Sequence, residues 1–256
     1  MKAFAEVKPT LILSVPLILE KIYKKMIQPQ ISRTAVSWVL KMPLLDKVVL
    51  NKIRETLVNA FGGEFSEIII GGAPLNAEVE AFLKRLKFPL TVGYGMTETA
   101  PLISFAHWDK FKSQSCGQVL DGLMEVRIAS PDGDGVGEIQ VRGEHVMLGY
   151  YKNEQATKES FTEDGWLRTG DLGTVDADGF IYIKGRCKTM LLGASGQNIY
   201  PEEIEAKINN MPYVLESLVL QKDTKLVALV CPDFEAVDAD HLTQTQLEVL
   251  MEENRK

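Results

Sequence analysis

Two short segments of this 256-residue chain carry side chains suited to binding a phosphorylated ligand. Residues 94–98 (YGMTE) place the hydroxyl of Thr97 and the carboxylate of Glu98 just after a glycine. Residues 169–171 (TGD) place a second carboxylate, that of Asp171, after another glycine. A threonine hydroxyl can bond phosphate oxygens, and a carboxylate can hold magnesium, a hard ion that prefers oxygen ligands.

The residues around these groups complete the pattern of an ATP site, although each also has an ordinary structural alternative. Asp171, predicted to lie in a loop, can accept both ribose hydroxyls or simply form a turn. Arg186 can bond the ribose or the α-phosphate, or be a surface charge. Thr97 can instead cap a following helix. The order of these signals favours a site that holds ATP by its phosphates, its magnesium and its ribose.

Two further segments leave alternatives open. Small residues at the end of a predicted strand could admit a flat base, or form a plain strand-to-helix turn: Gly71, Gly72, Ala73 and Pro74. A polar segment further on could contribute to a binding site or be only a surface loop: Ser195, Gly196, Gln197 and Asn198.

The first segments lie in a predicted β-α-β unit. Residues 67–70 form a short apolar strand, and Asn76 can cap a helix with an apolar face. Residues 88–92 are the next strand, so Tyr94 follows its carboxyl end. Ligands bind at that edge in open α/β sheets. Residues 9–60, by contrast, are predicted to be mostly helical.

After about residue 113 the pattern changes to short strands with glycine turns. Residues 125–128 and 138–141 flank a hairpin turn, and 175–183 show the same pattern. Pro201 suits the first turn of a helix. Residues 217–220 and 226–230 predict another hairpin, and the last stretch, 243–256, is predicted to be helical.

Composition narrows the class of protein. Three sparse cysteines favour a reducing compartment, hence a cytoplasmic location. No apolar run approaches the ~20 residues of a membrane helix, and a net charge of −7 argues against nucleic-acid binding. Residues 1–60 are net +6, however, and the remainder is −13. A basic amphipathic stretch could touch an anionic membrane; the alternative is the solvated face of packed helices.

The motifs together resemble the adenylate-forming superfamily of acyl-CoA synthetases, adenylation domains and luciferases. The opening residues are most similar to long-chain fatty acid–CoA ligases. The matching segments cover roughly residues 65–205: 71–74 (GGAP), 94–98 (YGMTE), 137–143 (GEIQVRG), 149–151 (GYY), 164–171 (DGWLRTGD), 185–186 (GR) and 198–205 (NIYPEEIE). The resemblance implies an α/β fold: the later part of a large domain (1–112), an antiparallel β subdomain (113–185) and an incomplete small α+β domain (186–256).

The resemblance also implies a reaction and roles for residues. A fatty acid would be activated with Mg²⁺ and ATP to acyl-AMP and then passed to coenzyme A. Thr97 would contact phosphate, Glu98 the magnesium, Asp171 the ribose, and Arg186 the ribose or phosphate. The other nucleotide contacts implied are Gly72, Ala73, Pro74, Tyr94, Gly95 and Met96. Lys188 would be the hinge of the small domain, with a rigid surface loop as the alternative. Residues 195–198 would help form the thioester-stage site.

Two features of the family are absent from this chain. Nothing before Gly62 resembles the glycine- and Ser/Thr-rich phosphate loop, and no segment resembles that of the catalytic lysine. The chain is therefore expected to be a fragment whose partners include its missing segments, and to be inactive as a ligase alone. A ligase for an acyl-carrier protein or an aryl acid, and a non-catalytic nucleotide-binding module, remain alternatives.

Overall fold

A computed structural model describes residues 2–31, 38, 42, 45–193, 196–223 and 225–254. The chain divides into two compact units, one of Met1–Thr169 with Thr174–Ile183, the other of Gly170–Gly173 with Lys184–Lys256. The three-part division at 112/113 and 185/186 stays a prediction. Within the described part of the chain, no helix has both the length and the apolar character needed to cross a bilayer.

A three-stranded parallel sheet forms the centre of the first unit. Its strands β1 (Leu11–Ser14), β2 (Glu67–Ile70) and β3 (Leu90–Val92) lie in that order. β2 pairs with both neighbours in parallel. Because all three strands run in one direction, the loops that follow them leave the same edge of the sheet. That edge is where the sequence predicted a binding site.

Helices complete this core. The described ones are α1 (Lys2–Val7), α2 (Pro16–Ile22), a π-helical segment (Tyr23–Ile27), α3 (Gln28–Ile31), α4 (Leu45–Ala60) and α5 (Ala77–Arg85). Leu50, Ile53 and Leu57 lie at helical spacing and bury one side of α4. The predicted cap of α5 is confirmed: Asn76 Oδ1 accepts the N–H groups of Glu78 and Val79.

The described residues between 9 and 60 are mostly helical, as predicted, and the exception is Leu11–Ser14, which form β1. The strand gains a full set of parallel partners on β2, a pairing across more than fifty residues that local spacing does not reveal. Pro16 contributes locally, because it begins α2 and restricts the residue before it to extended backbone. Ile12 is buried while Leu11 and Leu13 are exposed, which is the alternation of a strand.

The predicted antiparallel region is confirmed. β6 (Met124–Ala129) and β7 (Gly137–Gly143) form the expected hairpin, with Ile128 opposite Ile139. β8 (Leu167–Val175) and β9 (Ile181–Arg186) extend the sheet in the order β6-β7-β8-β9. The smaller elements nearby are the paired strands β4 (Ser104–Phe105) and β5 (Gln118–Val119) and helix α6 (Glu154–Ser160).

Two arginines of this sheet lie against the ring of Trp166. The guanidinium carbons of Arg127 and Arg142 each lie 4.6 Å from the ring centroid. Arg127 Nη2 donates to Asp164 Oδ1 at 3.0 Å, and Arg142 is paired with Glu125. The hydrogen bonds from Arg127 hold the pKa of Asp164 well below its usual range. The carboxylates thereby fix the cations over the indole.

Asp164→Asn should lower the urea midpoint at about pH 7, because it removes the charged partner of Arg127. The folded-state pKa of Asp164 is depressed, so its stabilisation is complete above the unfolded pKa of 3.8. The stabilisation is lost as the pH falls further. The difference in urea midpoint between the unchanged chain and Asp164→Asn should therefore stay constant down to about pH 5 and shrink below about pH 4. Exposed Glu163→Gln is the charge-matched control. A difference in urea midpoint that is as large at about pH 2.5 as at about pH 7 would contradict the assignment.

The second unit contains the remaining elements. They are the short pair β10 (Leu191–Leu192) and β11 (Asn198–Ile199), α7 (Pro201–Ile208), the hairpin β12 (Val214–Lys222) and β13 (Lys225–Pro232), α8 (Phe234–Ala239) and α9 (Gln244–Asn254). The predicted helix at Pro201, the predicted hairpin and the last helix are confirmed in the described residues. Val214 and Val219 are the buried side chains of the hairpin's first strand.

Candidate functional site

The loop after β3 turns back on itself immediately. The Tyr94 N–H donates to the Ser104 carbonyl at 3.1 Å, and the Tyr94 carbonyl accepts from Ile103 N–H at 2.8 Å. These bonds hold the start of the segment 94–98 against the following chain. The Tyr94 side chain is buried in the core that contains Ile103 and Ile139. Its implied contact with the nucleotide stays a prediction.

Gly95 is required by packing inside the loop. A Cβ atom there would lie 1.8 Å from the carbonyl oxygen of Pro101 and 2.8 Å from Cα of Leu102. The family resemblance implied that Gly95 contacts the nucleotide. The close approach present in the structure is to another stretch of backbone, so any phosphate contact at Gly95 is a separate prediction.

Residues Thr97–Thr99 form a single 3₁₀ turn. The alternative in which Thr97 caps a following helix is wrong, because Met96 precedes the turn and no helix continues from it. The fixing group is Thr99, which the sequence analysis missed: its Oγ1 accepts from Met96 N–H at 3.2 Å and donates to the Met96 carbonyl at 2.9 Å. Thr99 is buried, whereas Thr97 is exposed and open to a ligand.

Glu98 is held at both its backbone and its side chain. Its carbonyl accepts from Met147 N–H at 2.7 Å, and its Oε1 accepts from the Tyr150 hydroxyl at 2.8 Å. This hydrogen bond raises the pKa of Tyr150 above its usual value. In the part of the chain that the structure describes, no hydrogen bond or ion pair reaches Oε2. The sequence indicated Tyr150 only as part of the motif 149–151 and did not predict its contact with Glu98.

The loop after β2 leaves the same edge of the sheet. Gly71 N–H donates to the Ser14 carbonyl, and Gly93 N–H donates to the Ile70 carbonyl, which ties the ends of all three strands together. Gly72 has φ +87° and open space around the position of a Cβ. The structure thus brings two predicted segments to one edge: Gly72, Ala73 and Pro74 with Tyr94, Gly95, Met96, Thr97 and Glu98.

Asp171 and Arg186 come together in the second unit. Arg186 Nε lies 3.1 Å from Asp171 Oδ1. The carboxylate is largely buried, while the arginine side chain is 73% exposed. The prediction that Asp171 lies in a loop is wrong, because it sits inside β8, and the turn-former alternative fails with it. Arg186 is the last residue of β9 and is more than an isolated surface charge.

The predicted hinge and the polar loop also lie in this unit. Lys188 is exposed in a turn in which the N–H groups of Thr189 and Met190 donate to the Arg186 carbonyl. Gly193 N–H donates to the Gln197 carbonyl, which closes the turn between β10 and β11. Gly196, Gln197 and Asn198 are exposed, and Ser195 lies outside the described residues. The hinge and the thioester-stage roles stay predictions.

The oxygen atoms of Thr97 and Glu98 fit magnesium better than a transition metal. Over the described ranges, no group of three or more His, Cys, Asp or Glu side chains could hold a metal ion. Magnesium does not need such a cage, because it keeps several waters and takes further oxygens from substrate phosphates. One carboxylate oxygen of Glu98, close to the Thr97 hydroxyl in sequence, provides what such an ion requires of the protein.

Comparison with known proteins identifies the family. The model of the AMP-binding enzyme family matches residues 1–151. The chain belongs to this family. Long-chain-fatty-acid–CoA ligase FadD15 from Mycobacterium bovis is 34% identical over 90% of the chain and 41% of that protein. The chain therefore spans less than half the length of this curated relative.

Two solved structures have a similar fold. ATP-bound MatB from Rhodopseudomonas palustris is 26% identical, with a TM-score of 0.66 over 94% of this chain and 46% of that one. O-succinylbenzoate coenzyme A synthetase from Bacillus subtilis, in complex with ATP and magnesium ion, is 25% identical, with a TM-score of 0.66 over 96% and 48%. The expected superfamily and the mixed α/β fold with antiparallel sheets are confirmed.

Proposed function

We propose that this chain provides nucleotide-binding residues of an AMP-forming ligase that activates a fatty acid for transfer to coenzyme A. The observation that carries the proposal is Glu98, held at the carboxyl edge of a parallel sheet with its Oε2 open, in a member of the AMP-binding enzyme family. The name of the relative FadD15 supports a fatty acid as the substrate.

The proposed reaction has two steps. In the first, a carboxylate oxygen of the fatty acid attacks the α-phosphorus of ATP, and the bond to pyrophosphate breaks. In the second, the sulfur of coenzyme A attacks the acyl carbonyl carbon, the thiol proton is lost, and AMP leaves. Magnesium, when bound, neutralises the charge of the phosphates. The protein's part is to position the reactants and to stabilise developing charge.

Residues of both units have roles in this proposal. The Thr97 hydroxyl bonds phosphate oxygen, and Glu98 offers a carboxylate oxygen to magnesium. Asp171 accepts the ribose hydroxyls, and the exposed guanidinium of Arg186 bonds the ribose or α-phosphate. The open turn after β2 receives adenine. Lys188 is the hinge, and residues 195–198 serve the thioester stage.

Other properties follow from the same proposal. An aryl acid as substrate or a carrier protein as acceptor would use the same first step, so the acid that supports pyrophosphate release and the acceptor that takes the acyl group separate these alternatives. These comparisons use the intact protein, because this chain is expected to be inactive alone. If the intact protein were a non-catalytic nucleotide-binding module, it would release no pyrophosphate with any acid.

A cytoplasmic location and contact of the basic first sixty residues with a membrane surface stay predictions.

Binding of ATP to the chain tests the proposal most directly. We expect isothermal titration to detect ATP binding that strengthens when magnesium is in excess over EDTA. A fatty-acyl adenylate analogue should bind more tightly than ATP, because it resembles the acyl-adenylate intermediate of the proposed reaction.

Guanosine triphosphate and an aryl-acyl adenylate analogue serve as the matched ligands. GTP should bind more weakly if the turn after β2 receives adenine. Equal binding of the aryl and fatty-acyl analogues would favour the aryl-acid alternative. The absence of ATP binding with and without magnesium would contradict the proposed function.

A further inference from the structure

A single loop of the first unit contacts Glu98 at two points. Residues 147–153 lie about fifty positions downstream, yet Met147 N–H reaches the Glu98 carbonyl and the Tyr150 hydroxyl reaches its Oε1. The first contact, at 2.7 Å, fixes the backbone, and the second, at 2.8 Å, fixes the carboxylate. Glu98 is therefore oriented by a segment remote from it in the chain.

The loop is itself rigidly tied. Tyr150 N–H donates to Thr157 Oγ1 at 2.8 Å, and that hydroxyl donates to the Asn153 carbonyl at 2.9 Å. The Asn153 side chain caps α6 by accepting from Ala156 N–H. Gly149 has φ +151°, and a Cβ there would lie 2.7 Å from Thr157. A partly exposed phenol is thus presented by a fixed backbone.

Glu98 has a neutral partner, the Tyr150 hydroxyl, whereas other acidic residues of the same unit are paired with cations. Asp164 is paired with Arg127, Glu125 with Arg142, and Asp176 with Lys112. Each of those cations neutralises its carboxylate. Tyr150 is a neutral donor with a single hydroxyl hydrogen, so it orients one oxygen of Glu98 while the negative charge remains available.

We propose that Tyr150 is a positioning residue, which restrains the Glu98 carboxylate through Oε1 and leaves Oε2 as the oxygen that meets the magnesium of bound ATP. The inference rests on the proposed function. Without the phenol, the three rotatable bonds of the glutamate side chain must be ordered when the ion binds, at a cost in entropy. Positioning should therefore matter for ATP in the presence of magnesium and not for ATP alone.

Tyr150→Phe tests this inference because it removes only the hydroxyl. Isothermal titration should show that the variant's affinity for ATP falls about three- to tenfold in excess magnesium, the effect of losing one charge-assisted hydrogen bond at a partly exposed site. Its affinity in EDTA should equal that of the unchanged chain. Tyr151→Phe is the matched control, since its side chain is 88% exposed and no described hydrogen bond involves its hydroxyl.

Glu98→Gln, alone and combined with Tyr150→Phe, completes the test. Glu98→Gln should abolish most of the increase in ATP affinity that magnesium causes. Adding Tyr150→Phe should cause no further loss, because both residues act through the same carboxylate. Equal weakening of Tyr150→Phe with and without magnesium would reveal a purely structural role and overturn the inference.

The remaining outcomes distinguish the inference from the proposed function. If Glu98→Gln loses the magnesium dependence while Tyr150→Phe keeps the affinity of Tyr151→Phe, the inference is wrong and the proposed function stands. If the unchanged chain binds no ATP, the proposed function fails and the inference fails with it. If Glu98→Gln binds ATP as the unchanged chain does, with and without magnesium, the magnesium assignment of Glu98 fails, and the inference fails while nucleotide binding stands.

Discussion

Gly95→Ala is expected to destabilise the first unit by about 4 kcal/mol, an effect at the top of the range for one added methyl group. The new Cβ would lie 1.8 Å from the Pro101 carbonyl oxygen and 2.7 Å from its carbon. Both obstacles are backbone atoms, so no side-chain rotation can relieve the contact. The chain must separate Tyr94–Gly95 from Pro101–Leu102, which breaks the bonds between Tyr94 and the following strand.

Thermal unfolding followed by tryptophan fluorescence checks this expectation. A loss of about 4 kcal/mol corresponds to a fall in Tm of roughly 8–15 °C for a chain of this size. Gly133→Ala is the control, because nothing lies within 4 Å of its added Cβ and its φ is not left-handed. The control should change stability by less than about 0.5 kcal/mol. Equal Tm values for the two variants would refute the packing account of Gly95.

Asp171→Asn is expected to weaken ATP binding by roughly 10- to 100-fold, because the proposed ribose contact consists of hydrogen bonds to a charged acceptor. The asparagine keeps the size of the side chain but replaces one accepting oxygen by a donor. The change in folding stability is followed separately, because the Asp171 carboxylate is largely buried while its partner Arg186 is 73% exposed. Isothermal titration with ATP measures the first effect, and thermal unfolding the second.

Comparing ATP with 2′-deoxy-ATP, for the unchanged chain and for Asp171→Asn, tests whether the lost affinity comes from the ribose contact. The unchanged chain should prefer ATP to 2′-deoxy-ATP, and Asp171→Asn should lose most of that preference, since the missing hydroxyl and the missing carboxylate share one interaction. Asp238→Asn, at an exposed position of α8, should keep both affinities. An unchanged ATP preference in Asp171→Asn would show that its carboxylate does not contact the ribose.

Features encoded within a few residues could be predicted from the sequence. The Asn76 cap and Pro201 at a helix start are local signals, and both are present as expected. The hairpins around residues 131–135 and 222–225 follow from turn residues between short apolar runs. The β-α-β pattern predicted that Tyr94 lies at the carboxyl edge of the sheet, because parallel strands place their carboxyl ends together.

Features that depend on distant pairing could not be predicted. Leu11–Ser14 form a strand because β2 supplies partners, and the helical spacing of the neighbouring residues concealed this. Asp171 was expected in a loop from the glycine before it, yet Gly170 takes φ +73° inside β8. The roles of Gly95 and Thr99 also escaped the sequence, because their packing and hydrogen-bond partners depend on the path of the backbone after β3.

The sequence by itself determined the family resemblance and the identities of the candidate groups: a hydroxyl and a carboxylate after one strand, and a carboxylate and a guanidinium in a second segment. Only the tertiary structure decided which groups meet. Tyr150 bonds Glu98 across 52 positions, and Asp171 pairs with Arg186 across adjacent strands. The physical reason is that caps and turns are set by neighbours in sequence, whereas such contacts depend on how separate strands and loops pack.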